Sequence, residues 1–532
     1  MSASRWSPRR ILAFVVSGAS AAIVVFGMSA GSSQAKSVTN QPLVIDTSFV
    51  LQSLDPEATH DPTSLMADKA MYDTLLTQGK KGVAPSVASK WTESKNAETF
   101  KFTLRKNVRF ANGTPLTSAD VVFSIERLQN LKVSISGAVT GWSVEALGPY
   151  GVVITTTTPN PAVPEILTMP TLAVLNSKLV EANGGTDASN ASTADKAATF
   201  FNSESAGSGP YVLSSYVPNS QVTLTANPLY WGPKPTFKTV VIRNMLAPVQ
   251  LLNVQRGADE AAIDLSNAQA STLKSNKRLQ VHISPSPNTF FLDLNQSAAV
   301  SPVAANPHIQ QAIRYALNYK SMLQAAGAGS IQAAGVIPQG IVGSLPPKDA
   351  VKTNLTKAKA EVAASGISNP SVTLSYPSGL TINGVDFSTI SQIVQADLAQ
   401  VGITVQIQGL PVATFLTDYE GGKLAMNQVY WFINYPDPSN ALSFAPGGNY
   451  SLRINWPPSA NPTIGNLATK AATTINTAAK AKLWQQFQTD LNNGSPYVPE
   501  FQPAQAVVGS ANLTNLALNS VWTMDVAAIG SR

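Results

Sequence analysis

The stretch that decides the fold runs from Val83 to Leu128 and reads VAPSVASKWTESKNAETFKFTLRKNVRFANGTPLTSADVVFSIERL. Phe100, Phe102 and Leu104 alternate with polar residues, which predicts a half-buried strand. Asn112-Gly113 favours a sharp turn, because both residue types tolerate a positive φ. Thr117, with Asp120 three residues later, has the spacing of a capping box and predicts the start of a helix. The stretch therefore predicts a strand, a turn and a capped helix.

The N-terminus has the pattern of a secretory signal peptide. Arg5, Arg9 and Arg10 precede an apolar run from Ile11 to Met28, and a small-residue segment ends at Ala35. This order predicts export and cleavage after Ala35. An uncleaved membrane anchor is the alternative, since the apolar run is long enough to span a bilayer.

Composition narrows the range of functions. The chain of 532 residues contains no cysteine, which excludes disulfides, thiolate metal sites and a lipidated cysteine anchor. Without the predicted signal peptide, 33 basic residues face 30 acidic ones, a net charge of +3. The basic residues are scattered, so we expect no nucleic-acid partner. A chain of this length is too long to fold around a single hydrophobic core, so two or three domains are expected.

Strands and helices alternate through the rest of the chain. Val372–Tyr376 predicts a strand, the apolar positions from Ile390 to Val401 predict a helix that Gly402 ends, and Ile403–Ile407 predicts the next strand. This order is typical of a βαβ unit in an α/β fold. Another amphipathic helix is predicted to begin after Asn306-Pro307, and the last strands are predicted at Val498–Phe501 and Ala506–Val508.

An ordered set of motifs resembles the bacterial extracellular solute-binding proteins of family 5, the peptide/nickel class. The motifs are F-x-F-x-L-R at Phe100–Arg105, N-G-x-P-L-T at Asn112–Thr117, A-D-V-V-F-S at Ala119–Ser124, G-S-G-P-Y at Gly207–Tyr211, N-P-L-Y-W at Asn227–Trp231 and W-F-I-N-Y-P-D-P at Trp431–Pro438. The resemblance covers most of residues 43–508 in the expected order.

The resemblance implies an α/β, two-lobed periplasmic-binding-protein fold of type II, with an extra subdomain on lobe I. The implied layout after the signal peptide (1–35) is 36–77, 206–287 and 500–532 for lobe I, 78–205 for the subdomain and 288–499 for lobe II. The ligand is expected between the lobes.

Asn434 and Asp437 are the predicted polar ligand contacts. In peptide-binding relatives, the position that matches Asn434 is an aspartate that pairs with the ligand's terminal ammonium. The amide of Asn434 offers no countercharge, and Asp437 is the predicted substitute. The alternative is that Asp437-Pro438 forms only a turn.

Aromatic and backbone contacts complete the predicted site. Tyr430 and Trp431 are predicted to form an apolar wall for a side chain or sugar ring, the alternative being core packing. Thr59, His60 and Asp61 match the segment that pairs with an extended peptide in relatives. Pro62 removes one donor from that pairing, because proline has no N–H.

The sequence lacks the histidine spacing of zinc sites, the nucleophile elbow of hydrolases and the phosphate-binding loop of nucleotide-binding enzymes. His60, His282 and His308 lack zinc-binding spacing, and no G-x-S-x-G or phosphate-binding loop is present. We therefore expect no enzyme activity, no cofactor and no metal.

The resemblance implies an extracytoplasmic carrier that delivers a ligand, expected to be an oligopeptide, to an ABC permease served by an ATPase. A monomer is expected, free in the periplasm or outside the cell. Alternatives are an oligosaccharide or chelated nickel as ligand, or a secreted hydrolase.

Overall fold

The computed structural model describes residues 40–48, 51, 53–58, 61–257 and 260–532. The predicted signal peptide lies outside the described residues. So do Thr59 and His60, two of the predicted ligand contacts.

The strands fall into three main sheets and several two-stranded ladders. They are β1 Leu43–Thr47, β2 Leu76–Gly79, β3 Gly82–Pro85, β4 Ala88–Glu93, β5 Thr99–Leu104, β6 Trp142–Ala146, β7 Gly151–Thr156, β8 Tyr211–Val217, β9 Gln221–Ala226, β10 Thr239–Asn244, β11 Glu260–Ala262, β12 Leu279–Pro285, β13 Asn288–Leu294, β14 Ile331–Gln332, β15 Ser371–Ser378, β16 Thr381–Ile382, β17 Val385–Asp386, β18 Thr404–Pro411, β19 Met426–Phe432, β20 Tyr497–Gln502, β21 Ala504–Ser510, β22 Leu513–Thr514, β23 Leu518–Asn519, β24 Thr523–Met524 and β25 Gly530–Ser531.

The helices cover the faces of the sheets. They are α1 Pro62–Met71, α2 Ser118–Leu131, α3 Val163–Ile166, α4 Ser177–Ala182, α5 Ala191–Ala194, α6 Ala198–Phe201, α7 Ala247–Arg256, α8 Asn267–Thr272, α9 Pro307–Ala316, α10 Tyr319–Ala326, α11 Leu355–Ala364, α12 Phe387–Ala399, α13 Val412–Glu420, α14 Asn449–Leu452, α15 Pro462–Thr473 and α16 Thr477–Gly494. Short 3-10 helices include Pro438–Phe444.

Lobe I is built on a seven-stranded sheet in the order β12-β21-β11-β1-β10-β9-β8. Strand β1 pairs in parallel with β10 and β11, and the outer strands pair antiparallel. Leu43 and Ile45 of β1 pack in one apolar cluster with Met66 and Ala70 of α1. Helix α1 is therefore anchored to the sheet, which fixes the residue at its start, Asp61.

Lobe II is built on a six-stranded sheet in the order β14-β20-β13-β19-β15-β18. Strands β15 and β18 pair in parallel and are joined through α12, which confirms the predicted βαβ unit. Gly402 ends the connection with φ +86°, a conformation that glycine adopts readily. Helix α9 begins at the Asn306 cap as predicted. Strand β19 lies between β13 and β15, so the residues after it leave from the middle of the sheet.

The opening stretch forms part of the subdomain. Phe100, Phe102 and Leu104 of β5 are buried in one cluster, and Gly113 has φ +87° in the predicted turn. The N–H of Thr117 donates to Asp120 Oδ2 at 2.8 Å, which confirms the capping interaction at the start of α2. The four-stranded sheet has the order β4-β5-β7-β6.

Two chain crossovers join the lobes. One lies between β12 and β13 at Ser286, and the other lies between β20 and β21 at Pro503. The N–H of Ser286 donates to the carbonyl oxygen of Pro503 at 2.8 Å, so the crossovers are hydrogen-bonded to each other. Strand β20 pairs with β13 up to Phe501, beyond the expected boundary at residue 499. We propose the layout given above, with the second crossover at Pro503.

Candidate functional site

The loop after β19 carries most of the predicted ligand contacts. Asp437 caps the following 3-10 helix by accepting from the N–H of Ser439 at 2.8 Å. Asn440 holds the loop from inside: its Oδ1 accepts from the N–H of Asn434 at 3.0 Å, and its Nδ2 donates to the carbonyl of Tyr435 at 2.8 Å. The loop is thus shaped by buried polar contacts, and the Asn434 side chain is left partly exposed.

Asp437 is paired with a lysine of the protein itself. Lys480 Nζ lies 2.6 Å from Asp437 Oδ2, and the two side chains are 9% and 5% exposed. Lys480 lies in the first turn of α16, where the helix dipole disfavours a cation. The carboxylate of Asp437 compensates that charge. Asp437, the predicted substitute countercharge for a ligand, is therefore already paired with a cation of the protein.

A second carboxyl group approaches this pair from the subdomain. Glu165 of α3 has one oxygen, Oε2, that is buried without a hydrogen-bond partner. Burial raises the pKa of Glu165 to about 7, and the nearby negative charge of Asp437 adds to the rise. Tyr435, from the same loop as Asp437, is buried within the subdomain cluster that includes Val163 and Ile166. The loop of lobe II is therefore packed directly on the subdomain.

Tyr430 and Trp431 point to opposite faces of β19, as neighbouring residues of a strand must. Trp431 is 4% exposed and packs edge-to-face on Phe444 at 5.1 Å, so it fills the core of lobe II. Tyr430 is partly exposed and lies beside Phe432 at 6.5 Å. The two aromatic residues do not form a common wall, and the structure gives Trp431 the packing role that was the alternative.

The charge of Asp61, in lobe I, acts on Tyr430, in lobe II. Asp61 Oδ1 accepts from the N–H groups of Thr63 and Ser64, each at 3.0 Å, and so caps α1. Burial raises the pKa of Tyr430, and the charges of Tyr450 and Asp61 add to the rise. The start of α1 in lobe I and the partly exposed tyrosine of lobe II thus influence each other electrostatically.

A buried arginine holds the segment that leads to Asp61. Arg127 of α2 is fully buried and makes ion pairs with Asp55 at 2.7 Å, Glu57 at 2.9 Å and Asp195 at 2.8 Å. Asp55 and Glu57 lie just before the segment predicted to contact the ligand. Arg127 therefore ties Asp55 and Glu57 to α2 through charge-assisted hydrogen bonds.

Comparisons with known proteins give the family and the fold of the chain. Residues 82–451 match the family described as bacterial extracellular solute-binding proteins, family 5 Middle. The chain belongs to this family. Proteins of family 5 are transport binding proteins rather than enzymes, so this chain is the solute-binding component of an ABC importer.

Relatives along the whole chain support the assignment to family 5. The probable D,D-dipeptide-binding periplasmic protein DdpA of Escherichia coli K12 is 27% identical over 475 residues, which cover 87% of this chain and 89% of DdpA.

Solved structures give the two-lobed fold of type II periplasmic binding proteins. DppA of Helicobacter pylori, in complex with peptide STSA, has a TM-score of 0.78 at 22% identity and covers 92% of this chain and 98% of its own. NikA of Brucella suis, in complex with Fe(III)-EDTA, has a TM-score of 0.76 at 18% identity and covers 92% of this chain and 100% of its own.

A cavity of about 350 Å³ lies beside the crossovers of this family 5 protein. Its walls come from both crossovers and from two neighbouring loops, at Ser284–Pro287, Pro338–Ile341, Gln502 and Leu518–Ser520. None of the predicted ligand contacts lines this cavity. The cavity belongs to the hinge of the two lobes rather than to the loop after β19.

The described residues contain neither a metal-binding cluster nor a membrane-spanning helix. In the part of the chain that the structure describes, no three histidine or acidic side chains lie where they could hold a metal ion together. None of the described helices has both the length and the apolar character that a membrane crossing requires.

Sequence patterns did not indicate Lys480 or Glu165. Lys480 is separated from Asp437 by 43 positions, and Glu165 lies in a different part of the fold. One signal was available for Lys480: a lysine in the first turn of a helix is unfavourable unless an anion lies nearby.

Proposed function

We propose that this family 5 protein binds oligopeptides between its lobes and delivers them to an ABC permease. The observation that carries the proposal is that the charge of Asp61 of lobe I acts on Tyr430 of lobe II, which lies on the strand that leads to Asn434. Peptide binding is stated in the names of DdpA, a relative in sequence over 87% of this chain, and of the DppA complex, which shares the fold over 92% of it. A peptide would contact both lobes at once.

Binding to both lobes explains how the ligand is captured. A ligand shifts the balance from open to closed lobes only by the difference in its affinity for the two states. The ligand would contact Asp61 on lobe I and Tyr430 and Asn434 on lobe II. These contacts exist together only when the lobes are closed. The closed, liganded form would then dock on the permease. We propose that the protein acts as an exported monomer.

Calorimetric titration with alanine peptides of two to five residues tests the proposal. We expect saturable binding of at least one length, with a negative heat-capacity change because apolar surface is buried. Maltotriose and a nickel–histidine chelate serve as probes for the other ligand classes considered. Saturable binding of either probe, with no peptide bound, would contradict the peptide assignment.

A further inference from the structure

A hairpin of lobe II touches lobe I at a point outside the two crossovers. The hairpin consists of β16 and β17, joined by the turn Asn383-Gly384. Val385 of β17 is buried in one apolar cluster with Phe290 of β13, so the hairpin is anchored to the core of lobe II. Gly384 has φ +76° and lies directly against Ser266. We call this contact of Gly384 with Ser266 the interlobe contact.

Ser266 is fixed to lobe I by the helix that it caps. Its side-chain oxygen accepts from the N–H of Gln269 at 3.2 Å at the start of α8. Ala270 of this helix is buried in one cluster with Ala506 and Val508 of β21. The two sides of the interlobe contact therefore belong to different lobes.

The interlobe contact lies between the two sheet edges that carry the predicted ligand contacts. In lobe I, β1 and β11 run parallel, so the chain leaves both strands at one edge, toward Asp61 after β1 and toward Ser266 after β11. In lobe II, β15 and β19 run parallel, and the chain leaves them toward the hairpin and toward Asn434. Phe387, which follows the hairpin, packs on Tyr430 with the ring centroids 6.0 Å apart. Closing the lobes on a ligand would therefore bring the two sides of the contact together.

Glycine is required at position 384 because the interlobe contact leaves no space for a side chain. A Cβ atom on Gly384 would lie 2.6 Å from Cα and 3.1 Å from Cβ of Ser266. Nonbonded carbon atoms pack best about 3.5–4.0 Å apart. The nearest atom belongs to the backbone, so a change of rotamer cannot relieve the overlap. Asn383 holds the turn in place, since its Oδ1 accepts from Nδ2 of Asn288, the first residue of β13, at 2.5 Å.

We infer that the interlobe contact determines how far the lobes close: the bare backbone of Gly384 lets lobe II reach Ser266, and a side chain at this position holds the lobes further apart. Asn288, which holds the turn, lies close to the crossover at Ser286. A small displacement beside the crossovers becomes a larger one at the far side of the cleft. The inference goes beyond the proposed function, because it concerns lobe closure with any ligand.

Distances between spin labels on the two lobes test the inference. The chain contains no cysteine, so labels attach only at Val249→Cys in α7 of lobe I and Thr414→Cys in α13 of lobe II, both at exposed positions. Pulsed electron paramagnetic resonance measures the label distance without ligand and with an excess of trialanine. We expect Gly384→Ala to lengthen the mean distance in both conditions. We also expect it to weaken the binding of alanine peptides by about tenfold, because the closed state is less populated.

Gly379→Ala is the matched control for this variant. Gly379 lies in the connection between β15 and β16 and has φ +77°, so alanine is strained there to a similar degree. Within the described part of the chain, no atom beyond its own neighbours lies within 4 Å of a Cβ placed on Gly379. Gly379→Ala should therefore keep the label distance and the peptide affinity of the wild type.

The outcomes separate this inference from the proposed function. Equal label distances in Gly384→Ala and Gly379→Ala overturn the inference, whatever the protein binds. If Gly384→Ala lengthens the distance but no alanine peptide binds to the wild type, the proposed function fails and the inference stands.

Asn383→Gly provides a second test if Gly384→Ala does not fold. Glycine adopts the φ of +51° at this position readily, but it gives up the hydrogen bond from Asn288. The turn is then no longer held against Ser266, and the label distance should lengthen. A label distance equal to that of the wild type would overturn the inference.

Discussion

Lys480 Nζ lies 2.6 Å from Asp437 Oδ2, and both side chains are buried where lobe II packs on the subdomain. The pair joins the start of α16 to the loop that follows β19, the loop expected to contact the ligand. A buried ion pair contributes little net stability compared with apolar replacements, but breaking it on one side is costly. Its position therefore matters for the stability of the loop after β19.

Removing only Lys480 should destabilise the fold more than removing the whole pair. Lys480→Met leaves Asp437 buried without a cation, and we expect a loss of about 3–5 kcal/mol in the free energy of unfolding. Asp437→Asn/Lys480→Met should recover most of that loss, because no charge is left unpaired. Urea denaturation followed by tryptophan fluorescence measures both values. Equal losses in the single and double variants would show that the charges do not interact.

Arg127 is expected to stabilise the fold through Asp55 and Glu57, which precede Asp61. Arg127→Met leaves the carboxyl groups of Asp55, Glu57 and Asp195 buried without their cation, and we expect a loss of about 3–5 kcal/mol. The loss should shrink at acidic pH, where carboxyl groups take up protons. Arg127→Lys keeps the charge but cannot reach three carboxylates at once, so an intermediate loss is expected.

Denaturation of wild type, Arg127→Met and Arg127→Lys at pH 7 and pH 4.5 measures these differences. A loss in Arg127→Met that is as large at pH 4.5 as at pH 7 would contradict the electrostatic account.

Glu500 should make stability depend on pH. It is fully buried in β20, and burial raises its pKa from 4.5 to about 8, although Gln428 Nε2 donates to it at 2.6 Å. Because the folded-state pKa is raised, the folded protein holds a proton that the unfolded chain loses. The contribution is fully present below the unfolded pKa and is lost as pH rises from about 4.5 toward 8, by at most about 1.4 kcal/mol per pH unit.

Glu500→Gln cannot ionise, so the stability of this variant relative to the wild type should increase between pH 5 and pH 8. Glu145→Gln, at an exposed position of β6, is the matched control and should follow the wild type. Melting temperatures measured across this pH range check the difference. A constant difference between Glu500→Gln and wild type would mean that Glu500 does not titrate in this window.

Asn434→Asp is expected to change ligand preference. The new carboxylate would lie on a partly exposed loop position and would not be paired with Lys480, so it can accept a ligand ammonium. We expect free-amine peptides to bind roughly tenfold tighter and N-acetylated peptides to bind unchanged. Calorimetry with both peptide forms makes the comparison. An equal gain for both forms would rule out a charge effect.

Local periodicity predicted the elements of the fold. Three predicted features depend only on residues that are close in sequence, so the sequence pattern was enough to predict them. They are the buried face of β5, the Thr117–Asp120 cap and the β15–α12–β18 unit. The same period of two separates Tyr430 from Trp431, since consecutive residues of a strand point to opposite faces. Trp431 therefore has the core-packing role that was the alternative, and a ligand contact of Tyr430 stays a prediction.

Contacts between distant segments could not be predicted from spacing. Asp437 pairs with Lys480, which is 43 positions away in the sequence. Arg127 pairs with Asp55, which is 72 positions away. Such pairs form because sheets and helices bring their loops together, and a single sequence does not record which loops meet. The site on the loop after β19 therefore stays a prediction, while Lys480, the group that neutralises Asp437, came only from the structure.

Native mass spectrometry of the protein, as purified from its exported form, tests most directly whether it carries oligopeptides. We expect a bound mass that is released on denaturation and that fragments as one or more peptides. Release of a sugar or a metal chelate from the intact protein, with no peptide found, would contradict the account.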